Sequence, residues 1–286
     1  FSILFGVGMM LFIQNIEGKN LRPAKYHYKR MLLLLGFGLI HSYLIWMGDI
    51  LVPYALCGCL VYRVRNWSSR GLIVLASILF LVPILMNIMT WYGLSMSELN
   101  EIYGPIWNPQ TKEILNEIAA YRGPYMEQME IRSQSSSNAQ TFLFMIEGIW
   151  RYSSMMIIGI LLFRSDWFKA VKSRNWYFRF GLIFLVLGLM VSAFGLFASY
   201  DKQWNGPWSM TLGHQFTYIS SLLMAFAYMS LLIFWSTSDM GGRIQNLLKT
   251  VGRMAFTNYI LSSVLCTFIF YGHGFALFAT LDRLQQ

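Results

Sequence analysis

Residues 71–93 read GLIVLASILFLVPILMNIMTWYG, an apolar run that contains no Asp, Glu, Lys or Arg. A membrane-spanning helix needs about 20 consecutive apolar residues, because the hydrocarbon core of a bilayer is about 30 Å thick. This run is long enough to cross a bilayer by itself, so it predicts a transmembrane helix. The composition of the whole chain agrees, since 12% of its residues are charged, whereas a soluble domain carries about 25%.

Further apolar segments lie on both sides of this run. Together they give about eight candidate membrane segments, namely 1–16, 31–47, 51–62, 71–93, 140–163, 180–199, 213–236 and 254–280. We therefore predict an all-α fold, a polytopic transmembrane helix bundle that forms one domain over 1–286. The chain starts inside an apolar run at Phe1 and stops abruptly at Gln286. We expect it to be truncated at the N-terminus and also at the C-terminus.

The loops between these segments differ in charge, and the difference predicts their side of the membrane. Loops 17–30, 63–70, 164–179 and 237–253 have more Lys and Arg than acids, whereas loop 94–139 has six acids and three bases. Lys and Arg accumulate in cytoplasmic loops. We therefore expect a multi-pass protein of the bacterial cytoplasmic membrane, with 94–139 as an extracytoplasmic loop inserted in the bundle.

Two smaller patterns concern structure more than chemistry. The tract 133–138 of the long loop is rich in Ser, and it predicts a flexible linker. Gly181, Gly188 and Gly195 recur every seven residues. This spacing places small residues along one face of a helix and predicts close packing against a neighbouring helix.

Ionisable side chains at membrane depth are costly, so each is a candidate for a functional role. Glu147 and Arg151 are four residues apart, and they share one helix face. Counted at about 1.5 Å per residue, His41 and Glu147 both lie about 10 Å below the outer ends of their helices. We predict that His41, Glu147 and Arg151 are catalytic residues around an outward-opening polar cavity. The predicted substrate-binding residues are Asp49, His214, Arg253 and Asn258.

Two interpretations of the polar set stay open. In the functional one, Arg151 anchors an anionic or sugar-like substrate, and His41 or Glu147 carries a proton, since histidine titrates near physiological pH. In the structural one, Glu147 and Arg151 form an ion pair that fixes helix packing, and His41 is bonded to a carbonyl group.

The sequence also argues against several classes of function. Cys57, Cys59 and Cys266 have no Cys or His partner at metal-ligand spacing, and no Gly-rich phosphate loop occurs. We expect no bound metal or cofactor.

The net charge of +9 is scattered over four short loops, whereas nucleic-acid binding needs one basic patch. The expected partners are the lipid bilayer and a small-molecule or glycan acceptor; the oligomeric state is not indicated.

Three stretches of the sequence resemble the YeiB-type family of bacterial membrane proteins, a group of uncertain function. They are FSILFGVG at 1–8, GLIH at 38–41 running on to GDIL at 48–51 and YALCG at 54–58, and GRMAFTNY at 252–259. The resemblance spans nearly the whole chain and implies further helices at both ends. It also implies a distant similarity to transmembrane acyltransferases, which modify sugars on the outer face with cytoplasmic acyl donors. It assigns no catalytic residue here.

These observations lead to two hypotheses. The first is an enzyme that transfers an acyl group from acyl-CoA, its co-substrate, to an extracytoplasmic hydroxyl or amine, with Arg253, Asn258 and loop 17–30 at the donor entrance. The second is a transporter or exporter of a small solute, in which the Glu147–Arg151 pair and His41 bind solute and relay protons. The resemblance alone favours the enzyme.

Overall fold

A computed structural model describes residues 1–238 and 241–282, so that Asp239, an acid of the 237–253 loop, lies outside the described residues. The predicted all-α fold is confirmed, and the described residues contain no β-strand. The α-helices are α1 (Ser2–Glu17), α2 (Pro23–Ile40), α3 (Leu51–Val64), α4 (Ser69–Gly93), α5 (Met96–Trp107), α6 (Thr111–Arg122), α7 (Tyr125–Asn138), α8 (Ile149–Arg164), α9 (Arg174–Asp201), α10 (Gly206–Trp208), α11 (His214–Ser236), α12 (Gly242–Arg253) and α13 (Ala255–Phe270). Three π-helical segments interrupt them: π1 (His41–Ile45), π2 (Ala139–Gly148) and π3 (Ser209–Gly213).

Within the described residues, four helices are long and apolar enough to cross a membrane. They are Ser69–Gly93, Tyr125–Arg164, Arg174–Asp201 and Gly206–Ser236. A fifth is added if α12 and α13, which meet at a bend of 77°, count as one broken span. Helices α1 and α3 are apolar but shorter. Length and composition therefore give fewer spans than the eight expected from the sequence.

The apolar surface of the long helices identifies their surroundings. Helix α4 buries only three of its 25 residues, and α9 buries four of 28. Met89 on α4 and Phe197 on α9 are 73% and 74% exposed. Soluble proteins do not expose contiguous apolar faces of this size. The chain is a multi-pass membrane protein, and these apolar faces suit contact with lipid.

The long 94–139 segment is helical, and the prediction of a flexible linker at 133–138 is wrong. This tract lies in α7, which runs through π2 into α8 as one helix, Tyr125–Arg164, of 40 residues. Ser costs little in a helix, and tertiary contacts override its weak preference for turns. Here the Ser136 hydroxyl donates to the Ser42 carbonyl at 2.9 Å, and both residues are buried.

The chain divides into two compact units. The first comprises Phe1–Pro83, Thr111–Phe163 and Val251–Gln286, and the second comprises Ile84–Gln110 and Arg164–Thr250. The assignment of 1–286 to one domain stays a prediction.

In the second unit, α9 packs along α11 through its three regularly spaced glycines. A β-carbon at Gly188 would lie 2.7 Å from Met224 Sδ, and one at Gly195 would lie 2.5 Å from Phe216 Cβ. The packing role predicted for this small-residue face is therefore confirmed.

In the first unit, a buried apolar cluster supports the elements that carry the polar site. Cys57 and Val61 on α3 pack with Leu72 on α4 and with Met156 and Ile160 on α8, and each is at most 2% exposed. Burying such side chains supplies about 25 cal/mol per Å² of apolar surface. This cluster anchors α3, which follows the His41–Asp49 turn, against α4 and α8.

Candidate active site

The segment that follows α2 presents His41. The α-helical pattern changes at His41 into the wider π turn of π1, where the Trp46 amide donates to the His41 carbonyl at 2.8 Å. Short π segments inside α-helices occur often at functional sites, because the extra residue redirects side chains. The sequence pattern predicted a continuous apolar helix over 31–47 and did not reveal this change.

His41 and Asp49, both singled out in the sequence, are brought together. His41 Nδ1 lies 2.9 Å from Asp49 Oδ1, and both side chains are 1% exposed. An ionised carboxylate only accepts hydrogen bonds, so Nδ1 carries the proton that joins the two groups. In the neutral ring the lone pair then lies on Nε2.

The second oxygen of Asp49 is held by the start of α3. The Val52 amide donates to Asp49 Oδ2 at 2.8 Å. The first amides of an α-helix have no partner within the helix, and a preceding acidic side chain commonly satisfies them. Asp49 is therefore fixed through both oxygens, and it orients the imidazole of His41.

Tyr259 on α13 lies against this pair. Its ring centroid is 4.9 Å from that of His41, its hydroxyl accepts from the Ile50 amide at 3.2 Å, and it lies 3.5 Å from the Gly48 carbonyl oxygen. The tyrosine thus ties α13 to the turn that separates His41 from Asp49.

The other ring nitrogen of His41 is unoccupied. Nε2 is buried and has no hydrogen-bond partner within the described part of the chain. Buried polar atoms are nearly always paired, and an exception calls for an explanation such as a catalytic role. An oriented imidazole with a free basic nitrogen can accept a proton from a bound hydroxyl or amine.

Helix α7 covers π1 from the 94–139 segment. Arg132, which is 1% exposed, donates to the carbonyl groups of Leu44 and Ile45, and the Tyr125 hydroxyl donates to the Leu44 carbonyl at 2.6 Å. The last carbonyls of a helix lack partners within the helix, and a positive charge is stabilised there. The arginine therefore holds the segment that carries His41.

Sequence reasoning missed Arg132, although the sequence contains a signal for it. Gln128, Arg132, Ser136 and Gln140 recur every four residues, so they lie along one face of α7 and π2. The Gln140 amide donates to Ser42 Oγ at 2.9 Å, and the Gln128 Oε1 atom lies 3.2 Å from His273 Nδ1. Tyr259 was also missed, although it ends one of the stretches that carry the family resemblance.

A cavity of about 600 Å³ is lined by Trp46, which directly follows π1, and by residues of α13. These include Ser263, Cys266 and Thr267, and Phe278 beyond α13 also belongs to the lining. The Trp46 ring centroid lies 6.4 Å from that of His41. Its volume falls within the range of about 300–1,000 Å³ typical of small-molecule sites.

Glu147 and Arg151 are paired as predicted, with Glu147 Oε1 and Arg151 Nη1 2.8 Å apart. Their side chains are 29% and 26% exposed, so the pair is half-buried. Glu147 lies in π2, whose wide turns precede the first turn of α8. The catalytic role predicted for these two residues stays a prediction.

The remaining predicted residues lie in different surroundings. His214 begins α11 in the second unit, directly after π3, with its ring 6.3 Å from that of Tyr218. Arg253 is exposed at the end of α12. The Asn258 amide donates to the Val251 carbonyl at 3.2 Å and thereby caps α12. Their predicted role in substrate binding stays a prediction.

Within residues 1–238 and 241–282, no three His, Cys, Asp or Glu side chains are grouped so that they could hold a metal ion. The His41–Asp49 pair can take up and release a proton through its own side chains.

Comparison with known proteins gives matches along the whole chain. A family model described as a protein of unknown function, DUF418, matches residues 162–286. The uncharacterized protein YeiB of Escherichia coli (strain K12) is 30% identical, over 100% of this chain and 71% of that protein. The uncharacterized protein YxaH of Bacillus subtilis (strain 168) is 28% identical, over 97% of this chain and 67% of YxaH.

A third relative is an uncharacterized 39.9 kDa protein from the amylase 3' region of Bacillus acidopullulyticus. It is 25% identical, over 100% of this chain and 68% of that protein. No solved structure matches the chain.

Proposed function

The chain belongs to the YeiB-like family of membrane proteins, and we propose that it is a membrane acyltransferase in which His41 is the general base. The donor is an acyl-CoA, and the acceptor is a hydroxyl or amine of a small molecule or glycan. One observation carries the proposal: the buried His41 is oriented by Asp49 through Nδ1 and keeps Nε2 without a partner among the described residues.

The reaction requires a proton acceptor beside the attacking atom. The acceptor oxygen or nitrogen attacks the thioester carbonyl carbon while its proton moves to His41 Nε2. The new C–O or C–N bond forms, the C–S bond breaks, and the imidazolium returns the proton to the departing thiolate. Asp49 stabilises the imidazolium between these steps, as a carboxylate does beside other catalytic histidines.

The positions of the basic loops support an orientation for this reaction. Loops 17–30 and 164–179 carry an excess of Lys and Arg, and such loops lie in the cytoplasm. We place the protein in the bacterial cytoplasmic membrane, with the 94–139 segment outside. Acyl-CoA then binds from the basic face, where Arg253 meets its phosphates, and the acceptor arrives at the face covered by α7.

A second candidate function is favoured by the π segments. His41 and Glu147 lie in π1 and π2, and His214 follows π3 directly. Such breaks absorb changes of helix geometry, and moving helices with an ionisable site are typical of transporters. In this alternative the protein exports a small solute, and the His, Glu and Arg side chains bind it and relay protons.

The experiment that separates the two uses full-length protein in liposomes with radiolabelled acyl-CoA on the basic face. Amino sugars and hexoses are supplied on the other face. We expect transfer of the label, and loss of the general base in His41→Ala should lower the rate by about 10²- to 10⁴-fold. Asp201→Asn is the matched control, since Asp201 is 73% exposed and pairs with Lys202.

Two results of this experiment would contradict the proposal. Transfer that persists at the wild-type rate in His41→Ala removes this residue from the mechanism. Solute flux through the same liposomes, without transfer from acyl donors of two to twelve carbons, assigns the protein to transport.

A further inference from the structure

Three hydroxyl groups in the lining of the cavity between π1 and α13 already donate hydrogen bonds within α13. The Ser262 and Ser263 hydroxyls donate to the Tyr259 carbonyl at 2.8 and 3.2 Å, and the Thr267 hydroxyl donates to the Val264 carbonyl at 3.0 Å. A hydroxyl has one proton to donate. These three groups therefore offer a ligand no donor, and the described lining contains no Asp, Glu, Lys or Arg.

The rest of the lining is largely apolar. Trp46, Phe270, Tyr271 and Phe278 have aromatic rings, of which Trp46 and Tyr271 carry one polar atom each, and Cys266 behaves as a small apolar residue. A sugar would leave several hydroxyl groups without partners in such a site, at about 1–3 kcal/mol for each buried group. An unbranched hydrocarbon chain has no polar group to satisfy.

Trp46 and helix α13 connect the cavity to the His41–Asp49 pair, which is not itself part of the lining. Trp46 belongs both to its wall and to the surroundings of His41, with the two ring centroids 6.4 Å apart. Tyr259, whose ring is 4.9 Å from that of His41, is one helical turn from Ser262 and Ser263. A chain in the cavity would therefore keep its carbonyl end near His41.

We propose that this cavity binds an unbranched acyl chain of medium length. This inference rests on the proposed acyl transfer, because it names the class of substrate for that site. The chain has two sources, the thioester donor itself or a lipid acceptor from the membrane, and both present the same hydrocarbon to the lining.

Cys266 provides a reporter within the lining. It is exposed, whereas Cys57 is 0% exposed, and Cys59, which is partly exposed, is removed by Cys59→Ala. The rate at which a small maleimide alkylates Cys266 is measured in the purified full-length protein. Octanoyl-CoA at ten times its dissociation constant should lower this rate to about a tenth, since about a tenth of the sites stay free.

Three comparisons test whether the acyl chain in the cavity causes the protection of Cys266. Acetyl-CoA should protect far less, because its two carbons leave the cavity open. Ser263→Phe fills the cavity and should abolish protection by octanoyl-CoA, whereas Val264→Phe, at an adjacent position that is 42% exposed, should retain it. If an octanoyl lysophospholipid protects and octanoyl-CoA does not, the chain in the cavity is that of a lipid acceptor.

Failure of this inference differs from failure of the proposed function. His41→Ala should keep the protection and lose the transfer, because the chain binds without the base. If the wild-type protein shows protection but no transfer, the acyltransferase function is removed and the chain-binding cavity remains. Transfer of octanoyl groups with no protection of Cys266 by either octanoyl-CoA or the octanoyl lysophospholipid overturns the inference. Equal protection by acetyl-CoA overturns it as well.

Discussion

Asp49 accepts a hydrogen bond from His41 across the turn between π1 and α3, and neither side chain is more than 1% exposed. A buried carboxylate is tolerated when both of its oxygens have partners. Asp49 meets this condition through His41 and through the Val52 amide. The same contacts that stabilise the turn thus fix the orientation of the imidazole.

The first prediction concerns Asp49→Asn. The amide keeps the shape but has one acceptor oxygen, so it cannot accept from both His41 and the Val52 amide. We expect the free energy of unfolding to fall by about 1–3 kcal/mol, the cost of leaving one buried polar group unpaired. Thermal unfolding in detergent measures this loss. Asp201→Asn, at an exposed position, should leave the Tm unchanged; an equal Tm for both variants would contradict the two-contact role.

The second prediction concerns the Glu147–Arg151 pair. Because each side chain keeps more than a quarter of its surface exposed, solvent or headgroups screen the charges. The coupling free energy should exceed the roughly 0.2–1 kcal/mol of surface pairs and stay below the roughly 3–5 kcal/mol lost when a fully buried pair is broken.

A double-mutant cycle with Glu147→Gln and Arg151→Met measures this coupling as thermal stability. The double variant should lose less stability than the sum of the two single variants. Strict additivity would mean that the side chains do not interact in the membrane.

The third prediction concerns Arg132. Its guanidinium donates to the Leu44 and Ile45 carbonyls, so Arg132→Met should release these groups and loosen π1. Hydrogen bonds from a charged donor contribute about 1.5–3 kcal/mol. Amide hydrogen exchange over 41–47 should therefore accelerate by more than about tenfold. Lys112→Met, in an exposed position on α6, is the matched control, and equal exchange in the two variants would rule out the clamp.

The fourth prediction concerns the glycines of α9. In Gly195→Ala the new methyl group would lie 2.5 Å from Phe216 Cβ, so α9 and α11 must move apart. Overpacking of this kind costs about 1–3 kcal/mol. Gly36→Ala, where no atom lies within 4 Å of the new methyl group, should instead raise stability by about 0.5–1 kcal/mol, since glycine weakens a helix. A lower Tm for Gly195→Ala than for Gly36→Ala would support the close packing of α9 on α11, and the reverse order would contradict it.

The fifth prediction concerns topology. In a background without the native cysteines, Asn116→Cys on α6 should react with an impermeant maleimide in intact cells. Lys25→Cys and Lys172→Cys should react only after lysis, because their loops are basic. All three positions are exposed. Labelling of Lys25→Cys in intact cells would reverse the orientation.

The fold class could be predicted because it depends on local properties of the chain. Apolar runs such as 71–93 indicate helices without knowledge of their neighbours, and the spacing of Gly181, Gly188 and Gly195 predicts a packing face. The number of membrane spans was predicted less accurately than the fold class. The short lengths of α1 and α3 agree with the apolar runs 1–16 and 51–62, but hydropathy alone does not show that α12 meets α13 at 77°.

For the candidate site too, the sequence predicts the residues but not their contacts. His41 and Asp49 stand out because ionisable groups are rare at that depth, but their contact depends on π1, whose extra residue changes the direction of the chain. The structure of α7, the helix that covers π1, could not be predicted because it depends on tertiary contacts. The composition of 133–138 favours a linker, and only contacts with distant residues such as Ser42 make it helical.

The continuous helix Tyr125–Arg164 has a mechanical consequence. At about 1.5 Å per residue its 40 residues reach roughly 60 Å, twice the thickness of the hydrocarbon core. The half that follows π2 is anchored in the buried cluster through Met156 and Ile160, whereas the half that precedes π2 contacts the segment that carries His41. The wide turns of π2, with Glu147 among them, lie between the two halves. A force on the first half would therefore act on the cover over His41 and, through π2, on the ion pair.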